Sequence, residues 1–590
     1  MLDMDHFKAN MHSKDYWRHM LLGSYDYKYL CMPTWPYCRS PENQRRTSPL
    51  FGLNDHLGLI TALVMGFQHC LAMTAGLITP PILIGLYCEG PECSRQVTYI
   101  IQAALLVCAI STAIQVTGFR MGPFAWGSGI LSVMGVSFTS VNIWENAIST
   151  MMGQGLTWAQ AYGKMLGTTA FCAVTPFLIS FLPFPILRRV FPPVVTSSTI
   201  MLIGINLCGT GFENWGGGAG CFYGGLCSGN GYVELPFGNA EYVGMGFFVF
   251  AMICVCEVFG SPFIRNGSVF LSLLVGYVFA VIVPSAQTGQ SFVNQDIINA
   301  SPSATFLWTT TFPLGVYAPA ILPMIIVFLI TSIECMGDTT ATSEASGLET
   351  TGPILMTRIK GALLNDGLTS IFSSLAMSMP LTTFAQNNGV IALTNVGSRQ
   401  AGWACAFWLL LLGIFAKFGG WVQSIPNCIL GGMTTFLFAN VISSGIKILL
   451  VAGPLRRRER FILTCGLSLG IGVTLVPSFP TNDLWPPYTD PNSAGSVFRA
   501  SILAILESGF CLAAITTLIL NLIIPQEIES DDSTATASNM KSMPSGLDKP
   551  FLDEEGNTPP QTPHASKKTV PPTVQIATAN KEGLEMGAKP

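Results

Sequence analysis

Thr382-Thr383-Phe384-Ala385-Gln386-Asn387-Asn388-Gly389-Val390-Ile391-Ala392-Leu393-Thr394 is a run of amides and hydroxyls inside an otherwise oily chain. Three consecutive side-chain amides at membrane depth need partners, because each unsatisfied polar group in hydrocarbon costs several kcal/mol. A bound polar ligand and the backbone exposed by a broken helix meet that need. The stretch therefore predicts an interrupted membrane segment rather than a simple span.

The surroundings set the class. Of 590 residues, 49% are hydrophobic and only 11% charged, with a mean hydropathy of +0.48, against roughly 25% charged in a soluble domain. That is the composition of an all-α polytopic membrane protein, embedded in a lipid bilayer. The net charge of -4 is small and the basic residues are scattered, which argues against nucleic acid or an acidic partner. The 17 cysteines form no paired CxxC motifs and most lie in apolar runs as small hydrophobes, so no metal site is expected. The first 56 residues are polar, aromatic and basic, and the first span is expected to serve as its own insertion signal.

Apolar stretches recur at 57–79, 97–118, 127–143, 160–183, 194–210, 242–260, 266–284, 315–335, 359–378, 384–397, 401–418, 421–447, 461–477 and 499–524. Most approach the roughly 20 residues that cross a bilayer as helix. The third and tenth are too short or too polar to do so. These two occupy matching places seven apart, and Phe191-Pro192-Pro193-Val194-Val195 is echoed by Ile425-Pro426-Asn427-Cys428-Ile429. Seven is odd, so the halves are expected in opposite orientation. Inverted repeats with interrupted helices in corresponding positions point to a transport site near the midplane.

Lys and Arg near short loops stay cytoplasmic. Arg120, Arg188, Arg189, Arg265, Arg358, Lys360, Arg399 and Arg456 to Arg458 with Arg460 fall in alternate connections, which predicts both termini inside. Cys88 with Cys93, and Cys221 with Cys227, then face the outside, where they can oxidise to disulfides. The sequon Asn266-Gly267-Ser268 falls inside and Asn299-Ala300-Ser301 precedes Pro302, so glycosylation is not expected. Residues 1–56 read as a cytoplasmic arm, or as a sorting or partner-binding element through Tyr25-Asp26-Tyr27-Lys28-Tyr29. From residue 525 the chain becomes a polar, disordered tail whose Lys541, Lys549, Lys567 and Lys568 suit ubiquitination.

Ionisable residues inside a membrane are functional by default. Glu334 ends a long apolar run and opens Glu334-Cys335-Met336-Gly337-Asp338, so that Glu334 and Asp338 share a helix face four residues apart. Two carboxylates at that spacing repel, which suits a proton-coupled cycle. Asp366, in Leu364-Asn365-Asp366-Gly367, is a third candidate. The Gln386 amide offers one acceptor and two donors, and a carboxylate offers acceptors only. Together they can read the alternating N–H and C=O edges of a small flat heterocycle. Phe138, in Gly135-Val136-Ser137-Phe138-Thr139, either stacks on such a ring or fills core. His69 is expected to hydrogen-bond a neighbouring helix.

Gln386-Asn387-Asn388-Gly389-Val390-Ile391-Ala392-Leu393-Thr394 resembles the signature of the nucleobase/ascorbate transporter family. Gln68-His69, Glu334-Cys335-Met336-Gly337-Asp338 and Leu506-Glu507-Ser508-Gly509-Phe510 match its other landmarks in order, over about residues 20–525. Within the family the resemblance is nearest to fungal uric acid/xanthine permeases. Asn395 departs from the Arg, Lys or Gly of the family pattern, and Ser508 stands where these permeases carry Thr.

The resemblance implies fourteen spans in a seven-plus-seven inverted repeat, with short broken or β-like segments in spans 3 and 10. It implies a core domain at 57–184 and 315–418 (spans 1–4 and 8–11), and a gate domain at 185–285 and 419–524. An extracellular connection at 286–314 joins the halves. It further implies a homodimer, elevator-like movement of the core, and a plasma-membrane location. Carried over, Glu334, Gln386, Phe138 and Ala385 line the purine pocket, Asn387 and Asp338 support it or couple protons, and Ser508 and Phe510 form a gate filter. The function so implied is import of xanthine and uric acid with a proton as coupling ion and no cofactor. An ascorbate or uracil permease is the alternative on the same scaffold; an anion channel or a non-transporting nutrient receptor are those of other classes. No enzymatic constellation is present.

Overall fold

A computed structural model describes residues 20–21, 23–32, 50–88, 92–121, 124–183, 192–218, 221, 225–227, 231–350, 352–451, 455–476, 479 and 494–525. The lysine-bearing C-terminal tail from 526, residues 1–19 and 33–49, and Arg188 with Arg189 lie outside the described residues.

The fold is almost wholly helical. After a short α1 (Tyr27–Cys31) come α2 (Leu59–Gly85) and α3 (Cys93–Thr117), a hairpin of β1 (Phe119–Met121) and β2 (Phe124–Trp126), then β3 (Met134–Val136) and α4 (Val141–Gly153). A break at Ala173 divides the fourth apolar stretch into α5 (Trp158–Cys172) and α6 (Val174–Ile179). The first half ends with α7 (Pro193–Trp215), the ribbon β4 (Leu226–Cys227) and β5 (Leu235–Pro236), α8 (Ala240–Phe259), α9 (Pro262–Asn266) and α10 (Ser268–Ile282). The connection holds α11 (Gln295–Ala300). The second half runs through α12 (Ile321–Ala345), α13 (Pro353–Leu375), β6 (Leu381–Thr383), α14 (Gln386–Thr394), α15 (Arg399–Ile414), α16 (Ala416–Gln423), α17 (Asn427–Val451), α18 (Arg457–Leu475), α19 (Ala494–Glu507) and α20 (Gly509–Ile523).

Among the described residues six helices are long and apolar enough to cross a membrane, or up to eight if each bent pair is one span. This is a multi-pass membrane protein. The bends depart from the expectation of straight spans: α15 and α16 meet at 76°, and α19 and α20 at 89°. At the second bend Ser508 is extended, with φ -92° and ψ 101°, so its residue leaves the helical path and α20 restarts at Gly509. The third stretch also differs from its expected bounds. Its helical part continues to Gly153, because Glu145, Asn146 and Thr150 lower the apolar count while the buried Trp144, Ile148 and Met151 hold the helix by packing.

The core explains which helices stand together. One large buried cluster joins α2, α3, β3, α4, α5 and α12 around Trp144, Tyr162 and Phe328. Its rings interlock, with Tyr162 against Trp158, Trp144 and Phe312 at centroid distances of 5.1, 5.3 and 4.7 Å. A second cluster joins α8, α10 and the start of α17 with Tyr242. Helices α7 and α17, which begin with the two echoed proline motifs, pack along each other, and a methyl on Gly211 would stand 2.7 Å from the Thr435 hydroxyl. Cys88 is disulfide-bonded to Cys93 and Cys221 to Cys227, with Cα atoms 5.6 and 5.4 Å apart.

Candidate functional site

The two interrupted stretches meet in the fold. Strand β3 pairs antiparallel with β6, in the register Met134 to Thr383, Gly135 to Thr382 and Val136 to Leu381. All six residues are buried. The ladder satisfies backbone groups that a helix would otherwise pair internally, which is how irregular backbone is tolerated at membrane depth. Each strand then turns into a helix: β3 through a single 3-10 turn at Phe138–Ser140 into α4, and β6 into α14. Phe138 and Phe384 stack across the junction with centroids 6.1 Å apart and planes at 17°, and Phe438 of α17 closes on Phe138 edge-on at 5.6 Å.

Helix α12 lays its acidic face against β6 and the 3-10 turn that follows β3. Thr139 donates to Glu334, 3.3 Å from each carboxylate oxygen. One turn on, Thr383 donates to Asp338 at 2.9 Å. The two carboxylates are thus tied one to each half of the chain. Both are only partly buried, so the face they share opens toward solvent-accessible space.

The amides of α14 divide into two sets. Asn387 is fully buried, and its Oδ1 lies 2.9 Å from His69 Nδ1 on α2, which is the interhelical bond expected of that histidine. Asn388 accepts from the Thr342 hydroxyl at 2.5 Å, fixing α14 to α12. The half-buried Gln386 amide, by contrast, is bonded to none of the described residues. Ala385 and Gly389 of the same segment and Gly337 of α12 are exposed, and a methyl on either glycine would meet nothing within 4 Å. Carboxylates, an unbonded amide and a phenyl ring on these packed elements are the group types that bind a flat polar molecule.

The remaining candidates lie on neighbouring helices, Asp366 close enough to feel the charges of Glu334 and Asp338. Asp366 of α13 is fully buried with both oxygens unpaired, as are both polar atoms of neighbouring Asn365. Ser508 and Phe510 are buried at the bend between α19 and α20, with Phe510 in the main core cluster. Helices α19 and α20 pack against α12, but among the described residues no hydrogen bond joins Ser508 or Phe510 to Glu334 or Gln386. Thr383, Phe384 and Thr139 lie in the stretches singled out in the sequence, but their partners there, and the contributions of Thr342 and Phe438, were not apparent. Hydroxyls in apolar helices usually bond back to their own turn, and only the adjacency of Thr139 to Phe138 and of Thr383 to Phe384 marks them.

The family model for a permease family matches residues 60–479. The chain belongs to that family, the nucleobase/ascorbate transporters. As a permease it is a transporter and not an enzyme. It is 42% identical over 526 residues to the uric acid-xanthine permease of Emericella nidulans, covering 87% of this chain and 89% of that one. It is 30% identical over 484 residues to the xanthine permease XanQ of Escherichia coli, covering 82% and 95% respectively. Among solved structures it is similar to the transmembrane domain of a cyanobacterium bicarbonate transporter, BicA. There the identity is 12% and the TM-score 0.46, with 80% of this chain and 100% of that one covered.

Proposed function

We propose that this permease is a purine transporter that imports xanthine and uric acid across the plasma membrane by proton symport. The observation that carries the reading is the attachment of Glu334 and Asp338 to opposite halves of the chain, through Thr139 and Thr383, beside a Gln386 amide left free. The two relatives, a uric acid-xanthine permease and a xanthine permease, support the same substrates.

In this reading Gln386 gives and takes hydrogen bonds on one purine edge, Glu334 accepts from N–H groups on another, and Phe138 covers the ring beside Ala385. Asn387, held by His69, keeps α14 in place. Asp338 and Asp366 are the groups through which protonation lowers the cost of moving a loaded carboxylate site through the membrane. The wider architecture belongs to the same proposal: fourteen spans in an inverted repeat, and a core of 57–184 and 315–418 moving as an elevator against a gate of 185–285 and 419–524. So do a homodimer, a gate filter at Ser508 and Phe510, and cytoplasmic termini that meet the sorting and ubiquitination machinery.

Uptake of labelled xanthine by cells expressing the chain tests it. Excess xanthine and uric acid are expected to compete, and uracil and ascorbate to fail. A protonophore is expected to abolish accumulation; concentrative uptake that survives it refutes proton coupling, and competition by ascorbate or uracil instead refutes the substrate assignment.

A further inference from the structure

Helix α14 has nine residues, and its last carbonyls have no partner within the helix. Asn395 follows in the left-handed conformation, with φ 56°, and its N–H returns to the Ile391 carbonyl at 2.8 Å. The carbonyls beyond are met by the N-terminal segment. The Tyr29 hydroxyl donates to Leu393 O at 3.1 Å, Tyr25 to Thr394 O at 3.2 Å, and the Phe51 N–H to Asn395 O at 2.9 Å. Tyr25, Leu30 and Phe51 pack with Ile391 and Val396 in one buried cluster. The intervening Tyr27 points elsewhere, its hydroxyl 2.6 Å from Thr61 Oγ1 on α2.

We propose that Tyr25 and Tyr29 are positioning residues for the substrate-reading amide: they hold the C-terminal turn of α14 and through it set where Gln386 is presented. This rests on the purine reading of Gln386. A helix of nine residues is about 13 Å long. Tilting its capped end by about 5° moves the other end by about 1 Å, enough to break a hydrogen bond. Tyr25 and Tyr29 are therefore part of the binding apparatus through the helix end they hold.

The test uses full-length protein purified in detergent, with Tyr25→Phe, Tyr29→Phe, the pair, and Tyr27→Phe. Hydrogen exchange at the amides of residues 390–395 is read beside xanthine binding, and uptake in cells is normalised to surface protein. Each hydroxyl lost from the α14 cap is expected to speed exchange there by roughly 2- to 12-fold. The same variants raise Kd and KM for xanthine with little change in maximal uptake per transporter. Tyr27→Phe is expected to leave exchange and affinity within about twofold, which separates positioning from a general effect of the arm on folding or delivery. Equal effects from all three tyrosines, or faster exchange with unchanged xanthine affinity, overturn the proposal. So does unchanged exchange in the single Tyr29→Phe variant, whose half-buried ring keeps its packing. If the unsubstituted protein binds no xanthine while exchange responds as expected, the purine reading fails and the cap stands.

Discussion

Replacing Gly135 by Ala adds one methyl where the strand pair is covered by an aromatic ring. That methyl would contact Phe384 Cε1 and stand 2.5 and 2.7 Å from its Cζ and Cδ1, whereas carbon atoms pack at about 3.5–4.0 Å. The ring must retreat by about 1 Å. Its room is short, because Phe384 is 5% exposed, Phe138 stacks beside it, and a Cβ placed on Gly76 of α2 would already be 3.1 Å from its Cε2. Overpacking of this kind costs about 1–3 kcal/mol, equivalent to roughly 5- to 150-fold in an equilibrium constant. We expect Gly135→Ala to lower the thermal unfolding midpoint of the purified protein and to weaken xanthine uptake per surface transporter, because the displaced ring pushes Phe138 across the space assigned to substrate. Gly389→Ala is the matched comparison. The same methyl there meets nothing within 4 Å, and inside a helix Ala is favoured over Gly by about 1 kcal/mol, so its midpoint should hold or rise. Gly135→Ala with unchanged midpoint and KM would refute the packing argument.

Two further outcomes are expected. Gln386→Ala and Glu334→Gln should both reach the cell surface; the first weakens xanthine binding roughly 3- to 30-fold through loss of uncharged hydrogen bonds, and the second abolishes high-affinity uptake. Near-normal affinity in either removes that residue from the pocket. Asn266, at the end of α9, donates to Gln68 Oε1 at 2.9 Å, and both side chains are buried. Asn266→Leu alone strands Gln68 and should cost about 1–3 kcal/mol, while adding Gln68→Leu should restore part of it. Purely additive losses of unfolding midpoint in the double variant would show that the pair is not coupled.

Much of the site was legible in the sequence because polar groups stand out in an oily chain. The amides at 386–388 and the shortness of 127–143 and 384–397 marked two interruptions, and the spacing of Glu334 and Asp338 put both on one helix face. What joins these pieces was not legible. Three-residue strands carry too little alternation to announce a pairing with a partner about 250 residues away. The hydroxyls of Thr139 and Thr383 looked like many others. Tyr25 and Tyr29 sat in a stretch whose composition suggested a tail, and their role depends on carbonyls that only a short helix leaves open. The bend at Ser508 had a signal in Glu507-Ser508-Gly509, which interrupts the apolar stretch 499–524, but composition alone does not separate a bend from a tolerated polar turn of helix.

The β3–β6 ladder also dictates an order of assembly. Met134–Val136 is synthesised long before Leu381–Thr383 exists, and at roughly 5–20 residues per second the wait is about 10 to 50 s. Unpaired strand backbone cannot rest against lipid tails during that time. The early stretch must be sheltered by the insertion machinery or by α2 and α3 until its partner arrives, so a chain stalled before residue 381 is left with a hydrogen-bonding edge that quality control can recognise.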